Sequence, residues 1–152
     1  MAGKKSLQSD AECVAAECLS KRVRTLHRVV GKIYNDALRA HGLTASQMNI
    51  LVVVALRETA RPAEICEALK MEVSTLSRNM DRMRANGWVL VDVDTEDRRA
   101  RLFRLSPAGE TVLQAAVPSW RQAQAQVTKL LGKSGSAMLE KAAERAQQQI
   151  SG

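Results

Sequence analysis

The segment Val73-Ser74-Thr75-Leu76-Ser77-Arg78-Asn79-Met80-Asp81-Arg82-Met83-Arg84-Ala85-Asn86-Gly87-Trp88-Val89-Leu90-Val91-Asp92-Val93 changes its period half-way along. Up to Ala85 the apolar residues Val73, Leu76, Met80 and Met83 recur at helical spacing, and at about 100° per residue they gather on one side. Ser74, Thr75, Arg78, Asp81, Arg82 and Ala85 fall mostly opposite, with Ser77 on the flank. Asn86-Gly87 closes the helix, and Trp88 to Val93 is rich in strand formers. Asp94-Thr95-Glu96-Asp97 is a polar turn, and a second strand returns from Arg98 to Leu105. Upstream, Pro62 suits a first helical turn, and a short helix is expected over Ala63 to Leu69. Two short helices joined by Lys70-Met71-Glu72 and followed at once by a hairpin read as a helix-turn-helix with a wing.

The outward face of the second short helix has the chemistry of a DNA reader. Hydroxyls near a helix N-terminus suit phosphate or base contacts, and arginine pairs bidentately with guanine. In the hairpin, Arg98, Arg99, Arg101 and Arg104 lie within seven residues that contain no acid. Arginine at such a tip suits a narrow minor groove, and Asp97 is placed to brace Arg99 by an ion pair.

The rest of the chain surrounds this lobe with helices. A long helix is expected from about Ala11 to His41, after a disordered tail over residues 1–9. Its apolar seam, Leu19, Val23, Leu26, Val30, Ile33 and Ala37, steps by 4, 3, 4, 3 and 4 residues like a coiled coil. Residues 21–40 also carry six Lys/Arg against one acid, Asp36, so the helix is apolar on one side and basic elsewhere. Gly42 ends it. Thr44 or Ser46 caps the next helix, about Ser46 to Glu58, whose run Ile50 to Leu56 marks the buried centre. Ser106-Pro107 starts a helix running to Leu131 with a kink at Pro118. After a break at 132–135 a last helix spans about Ser136 to Ile150.

Composition narrows the function classes. The 152 residues are 45% hydrophobic and only 3% aromatic, so the core is aliphatic, and the net charge of +7 favours a polyanionic partner. The N-terminus lacks the apolar stretch of a signal peptide, and the run Ile50 to Leu56 is far too short to span a bilayer. A cytoplasmic protein without membrane contact is expected. Cys13, Cys18 and Cys66 lack metal-site spacing, and no cofactor is implied. With two histidines, no G-x-S-x-G and no phosphate loop, an enzyme is not expected. A helical protein-interaction module is the alternative from another class. It accounts for the seam but not for the arginine hairpin.

The order of motifs resembles that of the MarR family (multiple antibiotic resistance regulators). The likeness is carried by Leu43-Thr44-Ala45-Ser46-Gln47, then Ser74 to Met83, Gly87-Trp88-Val89, Asp97-Arg98-Arg99-Ala100 and Leu105-Ser106-Pro107-Ala108-Gly109, and it spans roughly residues 15–150. The resemblance implies a mainly α winged helix-turn-helix homodimer that binds a pseudo-palindromic operator, usually as a repressor. It divides the chain into dimerisation helices (10–41 and 107–152) and a DNA-binding lobe (46–105). Carried over by position, Ser74, Thr75, Ser77, Arg78 and Arg82 belong to the recognition helix, and Asp97 and Arg99 to the wing, beside Arg98 and Arg101. Two positions depart from the pattern. Leu90-Val91-Asp92 stands where many members place an arginine, and Glu72 where a better-capping residue is common.

Members of the family commonly respond to small phenolic or aromatic-acid ligands. His27, Arg28, Tyr34 and His41 are the polar candidates for such a pocket, whereas Trp88 and Trp120 read as packing. Others respond to thiol oxidation. The reactive position of that branch falls on Ser20, two residues or about 200° from Cys18, so Cys18 is the redox candidate but faces elsewhere. Cys66, on the apolar face of a short helix, reads as buried and inert.

Overall fold

The computed structural model of the chain describes residues 2–93 and 101–150. Six helices and one hairpin follow in the order α1 (Ala2–Glu17), α2 (Leu19–Leu38), a 3-10 turn (Arg39–His41), α3 (Ala45–Arg57), α4 (Pro62–Leu69), α5 (Val73–Ala85), β1 (Val89–Val93), β2 (Arg101–Leu105) and α6 (Pro107–Ile150). This is the expected mainly α winged helix-turn-helix.

The N-terminal third differs from expectation. Helix begins at Ala2, where an irregular tail was expected over 1–9, and the chain breaks at Cys18, whose ψ of 103° is extended. The physical reason is local. Residues 2–17 are rich in helix formers such as Ala, Lys, Gln and Glu, whereas the periodic seam that packs on other elements begins only at Leu19. Beyond the break, α2 packs through its apolar side on α6 and α3.

Gly42 has φ 69° and lets the 3-10 turn end with its N–H bonded to the Arg39 carbonyl. Thr44 then caps α3 reciprocally. Its hydroxyl accepts from the Gln47 N–H at 3.2 Å, and the Gln47 side chain accepts from the Thr44 N–H at 3.0 Å. Of the two capping candidates, Thr44 takes the role and Ser46 lies inside the helix. Thr44→Ala is expected to cost about 1 kcal/mol. A thermal melt at fixed protein concentration would show it as a fall of roughly 2–4 °C.

Helix α3 is the centre of the core. Ile50, Leu51 and Val54 are fully buried against Leu38, Ile65, Met83, Phe103 and Ala116. Each such side chain contributes about 1.5–3 kcal/mol of burial. The apolar run is not buried all round, however: Val52 is partly open and Leu56 is 81% exposed, because the seven-residue run winds nearly twice around the helix.

Strands β1 and β2 pair antiparallel, with Val91 opposite Phe103. Ala60, between α3 and α4, exchanges two 2.9 Å backbone bonds with Phe103 and adds a one-residue third strand. In α6, Pro118 lies inside the helix without interrupting it. The helix departs from helical geometry at Gly132 (φ 69°, ψ 169°), so the expected break over 132–135 narrows to one residue.

Candidate nucleic-acid interface

Helix α5 is held by Leu76, Met80 and Met83, all buried in the core. Val73, expected on the same face, is 68% exposed, because at the first helical position no preceding turn covers it. Ser74, Ser77, Arg78 and Arg82 are exposed and Thr75 is half-buried, so the polar face faces solvent as expected. The Arg78 guanidinium donates to the Thr75 hydroxyl at 3.4 Å, and the Asn79 amide donates to the Thr75 carbonyl at 2.9 Å. Thr75 therefore ties the guanidinium end of Arg78 to the first turn. Glu72 precedes α5 without capping it through its side chain. The helix N-terminus thus keeps unpaired N–H donors, which favour an anion there.

The turn before α5 depends on Lys70 in the left-handed region (φ 47°) and on a 2.9 Å bond from the Met71 N–H to the Cys66 carbonyl. On the far side, Gly87 (φ 69°) ends α5, and the Trp88 N–H bonds to the Met83 carbonyl at 2.9 Å. Ser106 then clamps the lobe to α6. Its N–H bonds to the Trp88 carbonyl at 3.0 Å, its hydroxyl donates to the Gly87 carbonyl at 2.5 Å, and the same oxygen accepts from the Gly109 N–H at 3.0 Å. One serine therefore fixes the end of α5, the root of the hairpin and the start of α6 together.

Of the wing residues, Arg101 is described and exposed, near Ser77 and Arg84 of α5 at a small cleft. Asp97, Arg98 and Arg99 lie outside the described residues. Arg104 pairs across the strands with Asp92 at 2.5 Å, with both side chains nearly half exposed, so the pair contributes at most about 1 kcal/mol. Asp92, noted as a departure in sequence, thus occupies an arginine of this same hairpin.

The expected ligand-pocket residues do not come together. Tyr34 lines a cavity of about 220 Å³ with Leu38, Ala45, Met48, Asn49 and Trp120. Its hydroxyl donates to the Gln124 side chain, and burial raises its pKa. His27 shares that side of α2 but sits two turns away in sequence, while Arg28 falls on the polar side; both are exposed and neither lines the cavity. His41, on the 3-10 turn, bonds Ser119 at 2.9 Å instead. Trp120 and Asn49 are the lining residues that sequence reasoning missed. Tyr34 of α2 and Trp120 of α6 border one cavity only because the fold brings those helices together, and no local pattern reports it.

The Cys18 sulfur caps α2 by accepting from the Lys21 N–H at 3.4 Å. Cys66 is half-buried rather than fully buried. Burial, and then the Glu72 carboxylate, raise its pKa, which makes it a poor nucleophile. Among the described residues no group of His, Cys, Asp and Glu is placed to hold a metal ion, and no helix is long and apolar enough to cross a membrane.

The sequence profile of the MarR family matches residues 41–100, which span the helix-turn-helix and the first wing strand. Over nearly the full length, the chain is 36% identical to the M. tuberculosis transcriptional regulator MosR in its complex with DNA, covering 86% of this chain and 98% of that one with a TM-score of 0.71. The chain belongs to the MarR family. The same fold recurs in a mutant MarR from E. coli complexed with operator DNA, at 21% identity and TM-score 0.79 over 88% of this chain and 96% of that one. It recurs also in BpsR of Bordetella bronchiseptica, whose DNA binding is regulated by 6-hydroxynicotinic acid, at 19% identity and TM-score 0.79 over 86% and 94% of the two chains.

Proposed function

We propose that the chain is a sequence-specific regulator of transcription that binds double-stranded DNA as a homodimer. The observation that carries this reading is the exposed row Ser74, Ser77, Arg78 and Arg82 on a helix whose other face is locked into the core. Thr75 belongs to the same reading face, and Asp97, Arg98, Arg99 and Arg101 to the wing beside it. The task is binding rather than catalysis, and it is carried out in the cytoplasm, where the DNA is.

Unpartnered apolar surface supports the homodimer. Leu19 is 70% and Val23 66% exposed on α2, and Leu130 and Met138 are open on α6. Isolated exposed apolar residues are ordinary, but four on adjoining dimerisation helices make a patch of the kind that marks an interface. Residues 10–41 and 107–152 are the dimerisation helices of this reading, and 46–105 the DNA-binding lobe. The cavity at Tyr34 and Trp120 lies where α2, α3 and α6 meet, between those two parts. It supports a repressor released by a small phenolic or aromatic-acid ligand.

Selection of bound duplexes from a random pool tests the proposal. The expected result is an inverted repeat whose half-sites are centred about 34 Å apart, one helical turn, bound by two chains. Enrichment of no sequence, or of a single unrepeated site bound by one chain, would overturn it.

A further inference from the structure

The basic side of α2 has no part in the function described so far, and its position decides what it does. Residues 21–40 hold six Lys/Arg against one acid, a net +5 out of the chain's +7. The lobe from residue 44 to 105 holds ten Lys/Arg against nine Asp/Glu, a net +1. The attraction of this protein for a polyanion is therefore concentrated on α2 and not on the lobe that reads bases.

The charge is also ordered. Lys21, Arg24, Arg28 and Lys32 step by 3, 4 and 4 residues, which sets them in one line along the helix. The line is about 17 Å long at 1.5 Å per residue. All four side chains are exposed. Lys32 pairs with Asp36 at 2.5 Å, and Arg39 continues the line and pairs with the same carboxylate. Lys21, Arg24 and Arg28 have no acidic partner among the described residues. One strand of a duplex presents a phosphate about every 3.4 Å of axis, so the line faces about five of them.

A second copy seated on Leu19 and Val23, the most exposed apolar residues of α2, lies about 200° around the helix from Lys21, and Val29, 43% exposed, is the apolar residue nearest the line. An anionic membrane is a poor fit, since a surface-bound helix needs its apolar face free to enter the lipid. Most of the apolar side of α2 is covered within the chain, with Leu26, Val30 and Ile33 half-buried and Leu38 buried.

We propose that Lys21, Arg24 and Arg28 on the outer face of α2 form a second, sequence-independent contact surface for the DNA backbone. It rests on the DNA-binding reading above and adds to it a division of labour. The α2 line supplies most of the non-specific, salt-sensitive affinity, and α5 supplies the preference among sequences. α2 packs on α6 and α3, whereas α5 packs on α3, α4 and β1, so the two contact surfaces lie on different elements.

The test compares the full chain with K21Q/R24Q/R28Q, R24K/R28K and R78A on a labelled 40-base-pair duplex of mixed sequence, from 50 to 200 mM KCl. Each phosphate contact adds about 0.9 to the slope of log affinity against log salt, so losing three flattens the slope by about 2.7. The fall in affinity across that fourfold salt range then shrinks by about 40-fold. The triple Gln variant is expected to bind the mixed duplex at least tenfold more weakly at 50 mM and Arg78→Ala to lose distinctly less, while the charge-keeping Lys variant stays within twofold of wild type. All three Gln substitutions are at exposed positions, and an unchanged circular-dichroism melt and sedimentation coefficient confirm that fold and assembly persist.

A triple variant with the wild-type slope overturns the proposal. So does an equal loss in Arg78→Ala, which would route non-specific binding through the lobe, and so does a loss in the charge-keeping Lys variant. Phosphatidylglycerol vesicles that bind wild type but not the triple variant, with duplex binding intact, would reassign the line to lipid. The sequence preference of the triple variant separates the two readings. Retained preference leaves the regulator standing whatever the line does, whereas a wild type that prefers no duplex overturns the regulator itself.

Discussion

Gly109→Ala is expected to unfold the clamp between the lobe and α6 and to lower stability by about 3 kcal/mol or more. A β-carbon at Gly109 would lie 2.0 Å from the Trp88 carbonyl oxygen and 3.0 Å from its carbon. The obstacle is backbone, so no rotamer relieves it. Nor is the Trp88 carbonyl free to retreat, since it accepts the Ser106 N–H at 3.0 Å while Ser106 is bound to Gly87 and Gly109. The added methyl must therefore break the clamp or displace the root of the hairpin. For a chain of this size the expected fall in the melting midpoint is about 10 °C. Gly31→Ala is the control. Its β-carbon would meet nothing within 4 Å inside α2, and alanine there is expected to stabilise by roughly 0.5–1 kcal/mol. Both variants should be melted at one protein concentration, because the midpoint of an associating chain depends on it. If Gly109→Ala melted with the wild type, the close approach of α6 to Trp88 would be wrong.

That glycine also shows where the sequence stops being legible. Its place in Leu105-Ser106-Pro107-Ala108-Gly109 is visible as a motif, but its reason is a carbonyl 21 residues upstream, which only the fold brings near. Helix α5 was readable because its inner face is set by its own period, and Leu76, Met80 and Met83 are buried as that period demands. Val73 escaped the rule because periodicity says which side a residue is on but not whether anything lies there. The first half of helix α1 was missed for the opposite reason: the residues read as a tail form helix from local propensity without an apolar seam to announce it. Pocket chemistry was the least legible part. His41 was chosen as a polar group free to bind, yet its partner Ser119 is 78 residues away, and Trp120, set aside as packing, lines the cavity with Tyr34. Where function depends on a single element and its period, residues carry it openly. Where it depends on two distant helices meeting, they do not.

The second large effect is expected at Arg78. Replacing it by alanine should lower affinity for the selected operator about 5- to 150-fold, corresponding to the roughly 1–3 kcal/mol of a bidentate arginine–guanine contact. Affinity for mixed-sequence duplex should hardly change. The asymmetry follows from the geometry. Arg78 is exposed on the outward face of α5 with no acidic partner among the described residues, and its guanidinium reaches back to the Thr75 hydroxyl at 3.4 Å. Thr75 in turn lies on the first turn, beside N–H donors that face an incoming phosphate. The bond holds the guanidinium over the first turn of α5 on the exposed side of the helix, where the proposed docking puts base edges. Thr75→Val, which keeps the shape and removes the acceptor, is expected to reproduce part of the loss. Arg99→Ala should behave differently, weakening all duplexes alike and reducing the salt slope by about 1, as a wing contact to the groove does without strong base readout. Measuring operator and mixed-sequence affinities of the three variants side by side separates the roles. If Arg78→Ala kept the full preference of the wild type for its selected operator, α5 would not be reading bases through this residue, and the docking of the lobe on DNA would have to be redrawn.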